Sequence, residues 1–210
     1  MMATIPKILE NEYVKTAIMV IIIIGVVFGF WYGSQLVLNT QYPALAVASG
    51  SMCKPYRMNC DGLSHPFSQT LHIGDLIIVQ GVAPEEIEGA PYPDGDIIVF
   101  HQPSAGGELI VHRAIKKEIR SDGEIYFTTK GDGNTGPDSV PVPEDQVIGK
   151  VILRIPWIGH IALFLHNSSG IFIIIILIVI LVIVEFVIPV FSSEKAEVDS
   201  GEKSEKVAET

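Results

Sequence analysis

Basic residues are scarce in this chain. It has 14 Lys and Arg among 210 residues, against 24 Asp and Glu, for a formal net charge of −10. Such a chain lacks the cationic footprint that nucleic-acid binding demands, and no nucleic-acid partner is expected. Cysteine is nearly absent, Cys53 and Cys60 being the only two, which excludes a disulfide-dense miniature scaffold. Charged residues make up 18% of the sequence, below the roughly 25% of an ordinary soluble domain. What is present in excess is apolar: 48% of residues are hydrophobic and the mean hydropathy is +0.40. That content excludes a disordered chain. Beside so many acids it also means that apolar and charged residues are segregated, which excludes one uniform soluble globule.

The segregation is visible as two gaps. No Asp, Glu, Lys or Arg occurs between Lys15 and Lys54, and none between Arg154 and Glu185. A bilayer-spanning helix needs about 20 apolar residues, so the sequence predicts transmembrane helices over 17–38 and 171–191. Their Ile and Val runs suit strands by propensity, but strands rarely exceed about 10 residues. A cleaved signal peptide is the rival reading of the first helix, and Ala44-Leu45-Ala46 and Ala46-Val47-Ala48 offer small-x-small sites. The first run is 22 residues long, however, against about 7–15 for a signal h-region, which favours an uncleaved anchor. Lys7 and Lys15 precede the first helix, and Lys195, Lys203 and Lys206 follow the second. This bias places both termini in the cytoplasm and the intervening residues outside. Glu185 is costly in lipid and belongs near the inner face or against a partner.

The expected organisation is therefore a cytoplasmic N-terminus (1–16), a transmembrane helix (17–38), an extracytoplasmic domain (39–170), a second transmembrane helix (171–191) and a disordered cytoplasmic tail (192–210). Residues 39–154 carry 15 acidic and 9 basic residues and are numerous enough for one core. Short Ile- and Val-rich runs bounded by turn signals predict strands at 43–48, 75–80, 96–100, 108–115, 124–129 and 147–153. The fold class is thus a mainly β domain of antiparallel sheets, with one transmembrane helix before it and one after. Asp122-Gly123 marks a hairpin, and 160–167 a short interfacial helix. Two Gly-Asp segments, at 74–79 and 95–99, look alike, each turning at Gly and entering a strand.

Cys53 and Cys60 would face an oxidising compartment, where a disulfide closing this small loop is expected. A zinc site that adds His65 and His72 is the alternative, though no second cysteine pair completes four ligands.

Three segments carry chemistry. Ser51, in Ser49-Gly50-Ser51-Met52, follows a predicted strand, but a serine hydroxyl is a poor nucleophile unless a base takes its proton. His112, in Ile110-Val111-His112-Arg113-Ala114, is the candidate base, since an imidazole shuttles protons near neutral pH. Lys130-Gly131-Asp132-Gly133-Asn134, followed by Asp138, supplies carboxylates that can fix the histidine tautomer. Each segment alone is more often structural: a turn, a core histidine, a hairpin. Together, beside a membrane anchor, they are specific.

These boxes, with Gly74-Asp75-Leu76-Ile77-Ile78-Val79, Gly95-Asp96-Ile97-Ile98-Val99 and Arg154-Ile155-Pro156-Trp157-Ile158-Gly159, occur in the order found in type I signal peptidases. The sequence resembles the archaeal and endoplasmic-reticulum branch of that family, in which histidine stands where the bacterial branch has lysine. The resemblance covers most of 45–157. It implies a signal-peptidase-like domain and a serine endopeptidase that cleaves signal peptides from exported preproteins after small-x-small sites. Ser51 would be the nucleophile and His112 the base, with Asp138 its partner and Asp132 supporting the site. The Ser51 N–H and the Ser49 hydroxyl would form the oxyanion hole. No cofactor and no metal is implied; the partners are preprotein signal peptides, the lipid bilayer and the protein-export channel. This sequence departs from the family pattern in one extra residue before Pro55 and an insertion of roughly 15 residues, through Thr70, that holds both cysteines. Self-processing at Ala46 or Ala48 is a variant of this reading. The competing reading is a non-catalytic, membrane-anchored β-domain acting as an assembly or binding subunit.

Overall fold

Seven short segments pair into one sheet, and β-type alternation of burial is clearest in two of them, Leu76–Gln80 and Ile125–Lys130. The computed structural model describes residues 12–54, 70–102 and 108–184. Its strands are β1 (Ala44–Ala46), β2 (Leu76–Gln80), β3 (Ile97–His101), β4 (Leu109–Ile119), β5 (Ile125–Lys130), β6 (Val142–Pro143) and β7 (Val147–Ile155). They lie in the order β1-β2-β7-β3-β4-β5-β6, and every pairing is antiparallel. Six of the seven fall where β-branched runs predict them. The two-residue β6, beside Tyr126 and Phe127 of β5, is too short and too proline-rich to leave a periodic signal. The β4–β5 hairpin turns at Ser121-Asp122-Gly123, with Ile119 opposite Ile125 and Gly123 at φ +89°, a conformation that glycine adopts at little cost.

Successive side chains of a strand point to opposite faces, and β3 uses both. Ile98 and Phe100 join Ile87, Ala114, Ile125, Phe127 and Val142 in one apolar core. Val99 joins Val47, Met52, Leu71, Ile77 and Val79 in a second. Residues directly opposite share a face, so His112, across from Ile98, lies on the first side, and Val111, across from Val99, on the second.

The two Gly-Asp segments have parallel roles. They lead into β2 and β3, the strands on either side of β7. Asp75 accepts from Arg154 of β7 at 2.5 Å, and Asp96 from Lys150 of β7 at 3.2 Å. Each carboxylate also accepts a backbone N–H, from His72 at 2.7 Å and Glu88 at 2.9 Å respectively. The resemblance between the segments thus encodes one device used twice, a turn whose acid reaches to the shared neighbouring strand.

The N-terminal helix α1 (Glu12–Val37) contains a stretch, Val14–Val37, long and apolar enough to cross a membrane by length and composition. It covers all but the last residue of the expected 17–38. At about 1.5 Å per residue its 26 residues extend about 39 Å, more than the roughly 30 Å hydrocarbon core. The chain divides into two units, Met1–His160 and Ile161–Thr210. A short helix, α2 (Gly159–His166), forms where one was expected, and α3 (Ser168–Val182) follows after a bend of 86°. The 15 residues of α3 extend about 22 Å, and residues 185–191 of the expected second span lie outside the described residues, as does the tail.

Candidate active site

Ser51 sits in a 3-10 turn, Gly50–Met52, between β1 and β2. Apolar anchors hold the segment at both ends, for Val47 and Met52 are buried in the second core. Backbone bonds fix its start: the Val47 N–H donates to the Asp75 carbonyl and the Gly74 N–H to the Val47 carbonyl, each at 2.9 Å. The residues between these anchors, Ala48 to Ser51, are left at the surface.

His112 projects from β4, 7% exposed, with the Phe100 ring edge-on at 6.4 Å between centroids. Asp138 comes from the loop after β5, which returns so that its N–H donates to the Thr129 carbonyl at 2.8 Å. Three side chains distant in sequence thereby meet. His112 Nδ1 lies 2.6 Å from Asp138 Oδ2, and His112 Nε2 lies 3.1 Å from Ser51 Oγ.

Donor and acceptor roles follow from the carboxylate. An ionised Asp138 only accepts, so Nδ1 carries the imidazole hydrogen and donates it. Nε2 is then bare and accepts from the Ser51 hydroxyl. The Ser49 hydroxyl, 3.2 Å from Ser51 Oγ, donates to Ser51 in turn. Thr129 Oγ1 donates to Asp138 Oδ2 at 2.6 Å. Burial pushes the Asp138 carboxyl up, but the hydrogen bonds from His112 and Thr129, with the charge of His112, outweigh it and hold the carboxyl below its ordinary value. The result is a hydroxyl, an imidazole with its acceptor nitrogen facing that hydroxyl, and an ionised carboxylate behind. This arrangement can pass a proton from serine to histidine during acyl transfer.

The other aspartate of the box is engaged differently. Asp132 accepts from Arg113 Nε at 2.8 Å and from Arg113 Nη2 at 2.7 Å, a two-pronged pair with both side chains buried. Arg113 Nη1 also donates to the Pro93 and Gly95 carbonyls. So of the two carboxylates, Asp138 touches His112 and Asp132 anchors the loop. That loop packs onto the serine turn with no room to spare. The Gly133 N–H donates to the Ser51 carbonyl at 2.8 Å, and a Cβ on Gly131 would stand 2.5 Å from the Ser51 carbonyl oxygen and 2.9 Å from His112 Nε2. Glycine is needed there for close approach, not for an unusual φ.

Cys53 is buried directly after the turn; Cys60, its expected disulfide partner, and His65 of the zinc alternative lie outside the described residues. His72 is buried in the turn before β2, where its Nδ1 accepts from Arg154 at 3.1 Å. Sequence reading passed over Thr129 and gave Arg113 no task. A threonine in a strand carries no local signal of the carboxylate it will meet across a loop.

No family model matches the chain. Curated relatives do. A signal peptidase complex catalytic subunit, SEC11C, of Homo sapiens is 27% identical over 145 residues, covering 65% of this chain and 64% of the relative. The SEC11 subunit of Colletotrichum graminicola is 27% identical over 154 residues, covering 69% of this chain and 76% of the relative. That of Dictyostelium discoideum is 25% identical over 154 residues, covering 70% and 73%. The matched region thus spans just under two thirds of the human relative's length. The chain is thus similar to the catalytic subunits of signal peptidase complexes, in keeping with the archaeal and endoplasmic-reticulum type that its ordered boxes resemble.

Proposed function

We propose that this chain is a membrane-anchored serine endopeptidase that removes N-terminal signal peptides from exported preproteins, cleaving after small-x-small sites. The observation that carries the proposal is the Ser51–His112–Asp138 relay, with contacts of 3.1 and 2.6 Å. Ser51 Oγ attacks the scissile carbonyl carbon while His112 Nε2 takes its proton. The negative charge on the carbonyl oxygen is held by the Ser51 N–H and the Ser49 hydroxyl. His112 then gives the proton to the departing amine, and the C–N bond breaks. Water, deprotonated by the same imidazole, hydrolyses the acyl-enzyme. Asp138 keeps the imidazole in the working tautomer and stabilises its charged form.

The setting favours a membrane-borne substrate. An apolar α1 leads within a few residues to β1, an edge strand of the sheet. An extended cleavage segment can pair along such an edge by backbone hydrogen bonds, with side-chain pockets giving specificity. In this reading 39–170 lies outside the membrane, 171–191 is a second span and both termini are cytoplasmic. Cys53 pairs with Cys60 in the insertion beside the site.

The test is cleavage of a preprotein by the purified full chain in detergent, beside Ser51→Ala. Loss of cleavage in Ser51→Ala, by at least roughly 10³-fold, is expected. Equal cleavage by both would overturn the proposal and leave the non-catalytic β-domain.

A further inference from the structure

The Ser51 N–H can stabilise an oxyanion only if its peptide plane is held in one orientation, and the structure accounts for every carbonyl of the turn. The Gly50 carbonyl accepts from the Cys53 N–H at 3.1 Å, and the Ser51 carbonyl from the Gly133 N–H at 2.8 Å. The Met52 carbonyl accepts from the hydroxyl of Thr70, a buried residue far along the chain. Three consecutive carbonyls therefore have three different donors.

In a trans peptide the C=O and N–H point opposite ways. Fixing the Met52 carbonyl fixes the Cys53 N–H, which lies in the same plane. The Cys53 N–H holds the Gly50 carbonyl, and that in turn aims the Ser51 N–H, which shares the Gly50–Ser51 plane, opposite to that carbonyl. We propose that Thr70 is a positioning residue for the oxyanion hole, acting through two peptide planes joined by a hydrogen bond. The inference rests on the reading of Ser51 as nucleophile.

The placement of Thr70 is itself determined. Its Oγ1 also lies 3.1 Å from Asp132 Oδ2, so its one hydrogen is shared between two acceptors. Asp132 is held by Arg113, which is tied to the Pro93 and Gly95 carbonyls. The buried ion pair thus sets the hydroxyl, and the hydroxyl sets the turn. This gives Asp132 a route of influence on the chemistry without any contact with His112.

The experiment compares wild type, Thr70→Val and Thr70→Ser as full chains in detergent, by preprotein cleavage, thermal melting and inhibition by a peptide aldehyde. The aldehyde forms a tetrahedral adduct with an oxyanion; the matching product peptide, ending in a carboxylate, binds without one. Thr70→Val keeps the shape and loses the donor. Its kcat is expected to fall roughly 10- to 100-fold, a part of what a direct oxyanion donor contributes, with KM within about twofold. Aldehyde affinity should weaken in parallel with kcat and product-peptide affinity should not. Thr70→Ser should restore kcat to within a few-fold. Full kcat in Thr70→Val, or equal weakening of aldehyde and product peptide, would overturn the inference. If Thr70→Val does not fold, Thr70→Ala is the second hydroxyl-free variant, and full kcat in it has the same force. A wild type no more active than Ser51→Ala would instead defeat the proposed function itself.

Discussion

At the scale of single residues, Asp138 has the most to reveal. Its carboxyl is held below its ordinary value by His112 and Thr129 against the opposing effect of burial. Asp138→Asn cannot impose the same tautomer on His112, because an amide can donate to Nδ1 as well as accept from it. Its kcat is expected to fall roughly 10²- to 10⁴-fold in a preprotein cleavage assay, with the fold retained. A depressed carboxyl pKa also sets a sign for stability. The contribution of Asp138 is complete above the unfolded value of 3.8 and is lost as pH falls through the lower folded value. The melting-temperature gap between wild type and Asp138→Asn should therefore close in strong acid, as the carboxylate is protonated. A gap that persists undiminished in strong acid, where the carboxylate is protonated, would contradict the assigned roles. Activity, by contrast, should fall whenever acid protonates His112, since a protonated imidazole cannot take the serine proton.

At the scale of elements, the buried Arg113–Asp132 pair joins β4 to the loop after β5. Arg113→Ala would leave a carboxylate in a dry site without its partner, and the expected cost is about 3–5 kcal/mol of stability. Urea unfolding of the full chain in detergent measures it. A loss under about 1 kcal/mol would mean that water reaches Asp132. The same elements show what a sequence can and cannot disclose. The strands were legible because β2, β3, β5 and β7 alternate or run apolar between Gly and Asp turns, which is a local signal. The order of Ser51, His112 and Asp138 along the chain was legible as well, through its resemblance to a known set of boxes. Which carboxylate faces the imidazole cannot be read from the residues themselves; only the resemblance favours Asp138. Asp132 and Asp138 differ only in where the loop carries them, and that depends on Gly131 and Gly133 lying flat against the serine turn. Nor could Thr70 be read: it stands 18 residues after Met52, and its contact exists only once the sheet has closed. The likeness of the two Gly-Asp segments was visible, whereas their shared target, β7, appears only in the strand order.

At the scale of the whole molecule, the apolar excess has a definite location. Side chains of α1 from Thr16 to Tyr32 are exposed all around, an arrangement untenable in water and natural in lipid. Alkaline extraction should leave the full chain in the membrane fraction. A chain ending at residue 167 should stay there as well, held by α1; its release would reject α1 as a span. The acid of the chain divides between the β-domain and the tail, so the net charge of −10 describes no single binding surface.

The strand order also has a mechanical consequence. β7 is hydrogen-bonded on both sides, by β2 and β3, and tied to each by an aspartate. A pull along it from its C-terminal end loads two ladders in shear, with all their bonds sharing the force. β1 is a three-residue edge strand bonded on one side only, and a pull through α1 meets far fewer bonds. If the site is tethered at both ends, tension transmitted through the first helix reaches the serine turn soonest, because only five residues, from Val47 to Ser51, separate the edge strand from Met52. The strand that presents the nucleophile is also the one that yields first.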